Sequence, residues 1–260
     1  MFEHLMTRRD GAVEYLTLNR PDVRNAFNPK LIAELATWAA AIAHDRTVRA
    51  VVLAGAGRMF CAGADVSWMA ETVTYTEEQN LSDARAMSSM FAAIDALPVP
   101  VIGRVHGAAL GGGAGLACVC DVVVADEHAI FGFTEVKLGI IPAVISPFAL
   151  AKIGRAAARE LFLIGARFSA LRAKEMGLVH AVVPTPEMDD ATDRFVQEFL
   201  SAAPGAIEAA KALIPKVWAS SADEAQAITA KAIAERRVSA EGQEGLNAFL
   251  EKRKPDWSRE

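Results

Sequence analysis

The stretch Gly107-Ala108-Ala109-Leu110-Gly111-Gly112-Gly113-Ala114-Gly115 decides how this chain reads. A strand-like run from Pro100 to Val105 precedes it, and a small-residue helical run from Ala114 to Cys120 follows. Adjacent glycines at a strand-to-helix junction let the backbone come close to a ligand. The first amides of a helix have no partner within it, and the dipole behind them favours negative charge. Upstream, Phe60-Cys61-Ala62-Gly63-Ala64-Asp65 is a second small-residue turn of this kind. One backbone N–H from each segment, converging on a single oxygen, would form an oxyanion hole, often the main source of rate enhancement in acyl chemistry.

Around these motifs, composition sets bounds. A chain of 260 residues with 52 % apolar content is long enough for a sizeable core, as one large domain or a domain with a helical extension. A net charge of −5 leaves no footprint for nucleic acid, so an anionic ligand must be held locally by a few basic side chains and backbone amides. Cys61, Cys118 and Cys120 fit neither a disulfide framework nor a zinc site, and read as small buried residues in a reducing compartment. Residues 1–10 have no long apolar core of a secretory signal. The apolar stretch from Gly139 to Ala151 is too short to span a membrane and contains Pro142 and Pro147. A cytoplasmic protein without membrane or nucleic-acid partners is expected. The five histidines show no metal-ligand spacing, and no P-loop, dinucleotide fingerprint or GxSxG elbow occurs, so no metal and no redox cofactor is expected. His106 reads as a structural hydrogen-bonding residue.

The chain alternates strands and helices in its first half. Val13 to Leu18 reads as a strand. Asn28-Pro29 reads as a helix start, after which Leu31, Leu35, Trp38, Ala39 and Ile42 recur at helical spacing. Val48 to Ala54 reads as a strand buried on both faces. A helix is expected over about 78–97, with Leu81, Ala84, Phe91 and Ile94 on one face. Strands follow at Val101–Val105, Val122–Ala125 and Ile130–Phe131. Such alternation implies crossover units and a mostly parallel sheet, an α/β fold. From Ser146-Pro147 onward the pattern reads as almost wholly helical, with Ser169 as an N-cap, Gly177 as a stop, and helices near 190–202, 206–219, 222–237 and 241–252. An α/β core over 1–195 and a helical region over 196–260 are expected.

Three motif groups in order carry a family resemblance. They are Ala62-Gly63-Ala64-Asp65; His106-Gly107 with Gly111-Gly112-Gly113; and Phe131-Gly132-Phe133-Thr134-Glu135-Val136-Lys137-Leu138-Gly139 with Ile141-Pro142. Together with Asn19-Arg20-Pro21, Arg24-Asn25-Ala26 and Ala248-Phe249-Leu250-Glu251-Lys252-Arg253, they resemble the crotonase (enoyl-CoA hydratase/isomerase) superfamily over almost the whole chain. The resemblance implies a spiral of ββα units with a C-terminal helical region that mediates a homotrimer, often paired into a hexamer. It implies an acyl-CoA thioester as substrate, with coenzyme A part of that substrate and no separate cofactor. It places the oxyanion-hole amides at Ala64 and Gly112 and the acid–base carboxyl at Glu135. Apolar neighbours Phe133, Val136, Ile140 and Ile141 would raise the pKa of Glu135 by desolvation. Position by position it assigns coenzyme A or substrate contacts to Arg24, Ala26, Ala62, Asp65, Val66 and Gly111, and to Phe249 and Lys252 from a neighbouring subunit. Trp68 borders the acyl pocket, followed by a stretch from Glu71 to Asn80 that reads as a mobile loop.

Two departures bear on the reaction. Two-glutamate hydratases carry their second glutamate at the position of Gly115, which has no side chain. Isomerisation of a double bond needs one base only, so Gly115 favours an isomerase. After Ile141-Pro142, the bulky run Ala143-Val144-Ile145-Ser146-Pro147-Phe148 replaces the glycine-rich stretch of many hydratases. That run is similar to family members acting on branched, methylglutaconyl-type thioesters, and with the overall match it favours a hydratase. The leading reading is a lyase that hydrates a short or branched 2-enoyl-CoA in fatty acid and lipid metabolism. A Δ3-Δ2 enoyl-CoA isomerase is the alternative, and a non-catalytic acyl-CoA binder is a further one. Thioester hydrolysis and decarboxylation also occur on the scaffold.

Overall fold

A computed structural model describes residues 2–258. Its larger sheet has six strands in the spatial order β1 (Leu5–Asp10), β2 (Val13–Leu18), β3 (Ala50–Gly55), β4 (Val101–Val105), β6 (Val122–Asp126) and β9 (Ala181–Val183). A smaller sheet holds β5 (Ala108–Leu110), β7 (Ile130–Gly132) and β8 (Arg167–Ser169). β1 runs antiparallel to β2, β8 antiparallel to β7, and the other pairs are parallel.

The chain visits the two sheets in turn. β4 lies in the large sheet, β5 in the small one, and α4 (Gly112–Val119) follows. β6, β7 and α5 (Ser146–Ile164) repeat the pattern. β3 begins a third turn: beyond it Cys61 bridges to Ala109 of β5, and α2 (Val66–Thr72) and α3 (Glu77–Asp95) come next. These strand–strand–helix turns form the expected α/β spiral.

Both faces of the large sheet are buried. Val51, Leu53, Val101 and Val105 pack into the main core with Leu35 and Trp38 of α1 (Pro29–His44) and Phe91 of α3. Val52, Ile102 and Val124 face the other way, onto Met188, Ala191 and Val196 of α7 (Met188–Ser201). α1 starts as its sequence predicts, with the Asn28 side chain accepting the Leu31 N–H at 2.8 Å. Ser169 caps α6 (Ala170–Glu175), and Gly177 stands just past its end at φ +84°. α8 (Pro204–Trp218), α9 (Ala222–Val238) and α10 (Ala240–Leu250) pack on one another. Lys211 of α8 ties them to the core through the Asp121 carboxylate at 2.6 Å and the Val99 carbonyl at 3.1 Å.

Several expectations need correction. β8 and β9 interrupt the region that reads as wholly helical, and β9 completes the large sheet. β1 has no signal in the sequence, because its residues after Leu5 are exposed and show no alternation. The segment 71–80 is a loop only over 73–76: α2 runs to Thr72 and α3 starts at Glu77, with a capping box between Thr76 and Gln79. Leu81 lies on the exposed side of α3. Residue 195 falls inside α7, whose body covers the large sheet. The three cysteines are buried, and desolvation pushes each thiol up to about 12.

Candidate active site

The two glycine-rich turns meet, and hydrogen-bond direction shows how. Phe27 pairs with Ala64 as an isolated parallel bridge. The Phe27 N–H donates to the Gly63 carbonyl at 2.7 Å and the Asp65 N–H donates to the Phe27 carbonyl at 2.8 Å. In such a bridge the N–H of the middle residue points to the opposite side, so the Ala64 amide is turned away from Phe27. Gly63 has φ +98° and no room for a side chain: a Cβ there would lie 2.9 Å from the Leu110 carbonyl oxygen. Gly111 (φ +51°) caps α4, and Gly112 is the first residue of that helix, where amides lack helical partners. A Cβ on Gly112 would meet the Phe27 ring at 3.0 Å and Met87 Cε at 2.8 Å. One residue, Phe27, thus holds Ala64 by its backbone and Gly112 by its ring.

Ala64 and Gly112 line a cavity of about 330 Å³ that also contains Glu135. Glu135 opens a short 3-10 turn, Glu135–Leu138, which Gly139 ends at φ +75°. One carboxylate oxygen, Oε1, lies 3.4 Å from where a Cβ on Gly111 would sit. The other, Oε2, is buried without a hydrogen-bond partner among the described residues. Burial raises the Glu135 pKa above its ordinary value, as the sequence predicts. A carboxyl with one unpaired oxygen, in the same cavity as Ala64 and Gly112, can move a proton on a group bound there.

Position 115 is filled from elsewhere. A Cβ on Gly115 would sit 2.3 Å from Ile145 Cγ2 and 3.1 Å from Phe91 Cζ. Ile145 is 2 % exposed and lines the cavity beside Val144 and Ile141. The loss of a side chain at 115 and the bulk at 145 are therefore one packing solution.

Of the other expected residues, Ala62, Trp68 and Gly111 line the cavity. Arg24 lines a separate cavity of about 380 Å³ with Pro21 and Arg58. Ala26 is buried, its carbonyl accepting from the Arg20 guanidinium. Asp65 does not line either cavity. It is 7 % exposed, pairs with Arg20 at 2.8 Å and caps α2 through the Ser67 amide at 2.9 Å. Burial opposes its ionisation, yet Arg20 and Ser67 together hold its carboxyl below the usual range. These contacts give it a structural place in the turn before α2. Val66 is 80 % exposed and lines neither cavity. Phe249 and Lys252, at and just beyond the end of α10, line neither cavity within one chain, and Phe249 is 81 % exposed. His106 is structural as expected: its Nε2 lies 3.0 Å from the Gly57 carbonyl. Sequence reasoning missed Arg58, Ile145 as the filler of position 115, and Asp83, which lines the cavity from α3. For Asp83 the signal is masked, because the helical spacing in α3 marks only its apolar face.

Comparison with known proteins shows the family. The family model described as enoyl-CoA hydratase/isomerase matches residues 8–260. The 2,3-dehydroadipyl-CoA hydratase of Escherichia coli is 36 % identical over 97 % of this chain and 98 % of its own. The crystal structure of an enoyl-CoA hydratase from Shewanella pealeana superposes with a TM-score of 0.95 at 37 % identity, covering 98 % of this chain and 96 % of that one. That of Pseudomonas aeruginosa AtuE gives 0.95 at 39 % identity, covering 99 % and 100 %. On its family-model match, its relatives and its fold alike, this chain belongs to the enoyl-CoA hydratase/isomerase family.

Proposed function

We propose that this protein is a hydro-lyase that adds water across the 2,3 double bond of a short or branched enoyl-CoA, the methylglutaconyl type included. The observation that carries this reading is the buried, unpaired Oε2 of Glu135 in one cavity with Ala64 and Gly112. The thioester oxygen sits between those amides and gains negative charge as water adds at C3. Glu135 delivers the proton to C2. Arg24 and Arg58, beside the second cavity, suit the phosphates of coenzyme A. Phe249 and Lys252 close over the nucleotide from a neighbouring copy in a homotrimer or a pair of trimers. The exposed Trp218, Phe249 and Leu250 of the C-terminal helices support that assembly. Among the described residues, no helix is long and apolar enough to cross a membrane.

One observation favours a second reading, a Δ3-Δ2 isomerase with Glu135 as its base: Ile145 occupies the place of a second carboxylate. Turnover of crotonyl-, 3-methylglutaconyl- and 3-hexenoyl-CoA by the protein and its Glu135→Gln variant, with products weighed, tests both. The expected result is a mass gain of one water, reduced roughly 100- to 10,000-fold in Glu135→Gln. Conversion of the 3-enoyl substrate without mass change would establish the isomerase instead. Coenzyme A binding without any turnover would overturn both.

A further inference from the structure

The cavity holds a second carboxylate that no family motif marks. Asp83 lines it from α3, and Trp68 of α2 donates its indole N–H to Asp83 Oδ2 at 3.3 Å. Asp83 stands one helical turn before Met87, whose Cε packs on Gly112. It therefore shares a helix face with the side chain that packs on Gly112, while Glu135 lines the cavity from its own turn. Asn80, three residues earlier on the same face, lines the same cavity. The lining residues between Leu138 and Ile145 are all apolar. Addition of water needs a group that takes the proton of the water as well as one that protonates carbon. Gly115 provides none, and Ile145 fills the space there.

We propose that Asp83, oriented by Trp68, is the second acid–base group of the site and takes the proton of the adding water. The step balances with Glu135 protonated and Asp83 ionised at the start. The water oxygen bonds to C3 and its proton passes to Asp83. The π electrons of the double bond move to the thioester as an enolate, whose oxygen the Ala64 and Gly112 amides hold. Glu135 then gives its proton to C2. The product is the 3-hydroxyacyl thioester, and net proton exchange with solvent from Asp83 to Glu135 resets the pair. This assignment rests on the hydratase reading above.

Two reactions separate the roles. Exchange of the α-protons of butyryl-CoA with D2O requires the oxyanion hole and Glu135 but no added water. Hydration of a 2-enoyl-CoA requires Asp83 as well. Asp83→Asn is expected to lower kcat for hydration about 100-fold or more while exchange stays within about threefold of the parent. Asp83→Glu should restore part of the hydration rate, and Trp68→Phe should lower hydration more than it lowers exchange. Because exchange reports an intact fold and hole, a misfolded variant reveals itself by losing both reactions. Hydration close to the parent rate in Asp83→Asn overturns the assignment and leaves the role of Glu135 standing. Loss of exchange together with hydration in both Asp83→Asn and Asp83→Glu overturns it too, since that marks a structural residue. Hydration that survives in Glu135→Gln overturns the reading beneath it.

Discussion

Glu135 is placed where ionisation is unfavourable, and that has a sign. Its folded pKa lies above the ordinary 4.5, so the folded chain binds this proton more tightly than the unfolded one. Ionisation therefore costs stability once pH passes 4.5, and the cost is fully in force above the folded pKa. Glu135→Gln should raise the melting midpoint at neutral pH, by on the order of 2 °C, while abolishing activity. The gain should shrink as pH falls toward 4.5, which calorimetry across a pH series would show. At position 115 the expected outcome is opposite. Gly115→Glu drives a Cβ into Ile145 and should cost roughly 1–3 kcal/mol or more. Adding Ile145→Ala should recover much of that, a coupling that denaturant melts of the double-mutant cycle would measure. Gly115 is legible as a missing carboxylate from its motif. That Ile145 occupies the space is not, because the two residues meet only after α4 and α5 have packed.

At the scale of the element, the site depends on short backbone pieces whose regularity is too brief to read. β5, β8 and β9 have three residues each, fewer than two periods of strand alternation. β2, β4 and α1 are legible because their apolar spacing persists or a cap marks them. The turn before α2 shows how such pieces are secured. Asp65 both caps α2 and pairs with Arg20, which also reaches the Ala26 carbonyl. Removing one member of a buried pair typically costs about 3–5 kcal/mol. Asp65→Ala should fall in that range and weaken substrate binding by loosening Ala64. The folded pKa of Asp65 is depressed, so its contribution is present above the unfolded value of 3.8 and lost as pH falls through the lower folded one. Below that point the variant and parent should converge in chemical denaturation.

Across the whole molecule, chain order and spatial order part company. The chain returns from α6 to add β9 at the edge of the large sheet, and α7 then covers that sheet. No composition break announces this, which is why the core and the C-terminal region read as divisible at 195. Arg49, between α1 and β3, reinforces the link through the Leu200 carbonyl at 2.6 Å and the Ala202 carbonyl at 2.8 Å. α8 to α10 pack on one another, and their exposed apolar side chains belong to the proposed assembly. Light scattering should give three or six times the 27.7 kDa of one chain. Trp218→Glu with Phe249→Glu should lower that mass, and Phe249→Glu should raise KM.

Phe27 brackets Ala64 with its backbone and presses its ring on Gly112. As donors of the proposed oxyanion hole, the two amides would therefore not move separately. Their gap is one degree of freedom, set by the volume of a single ring, and any swelling of the core at Phe27 must open the hole from both sides together.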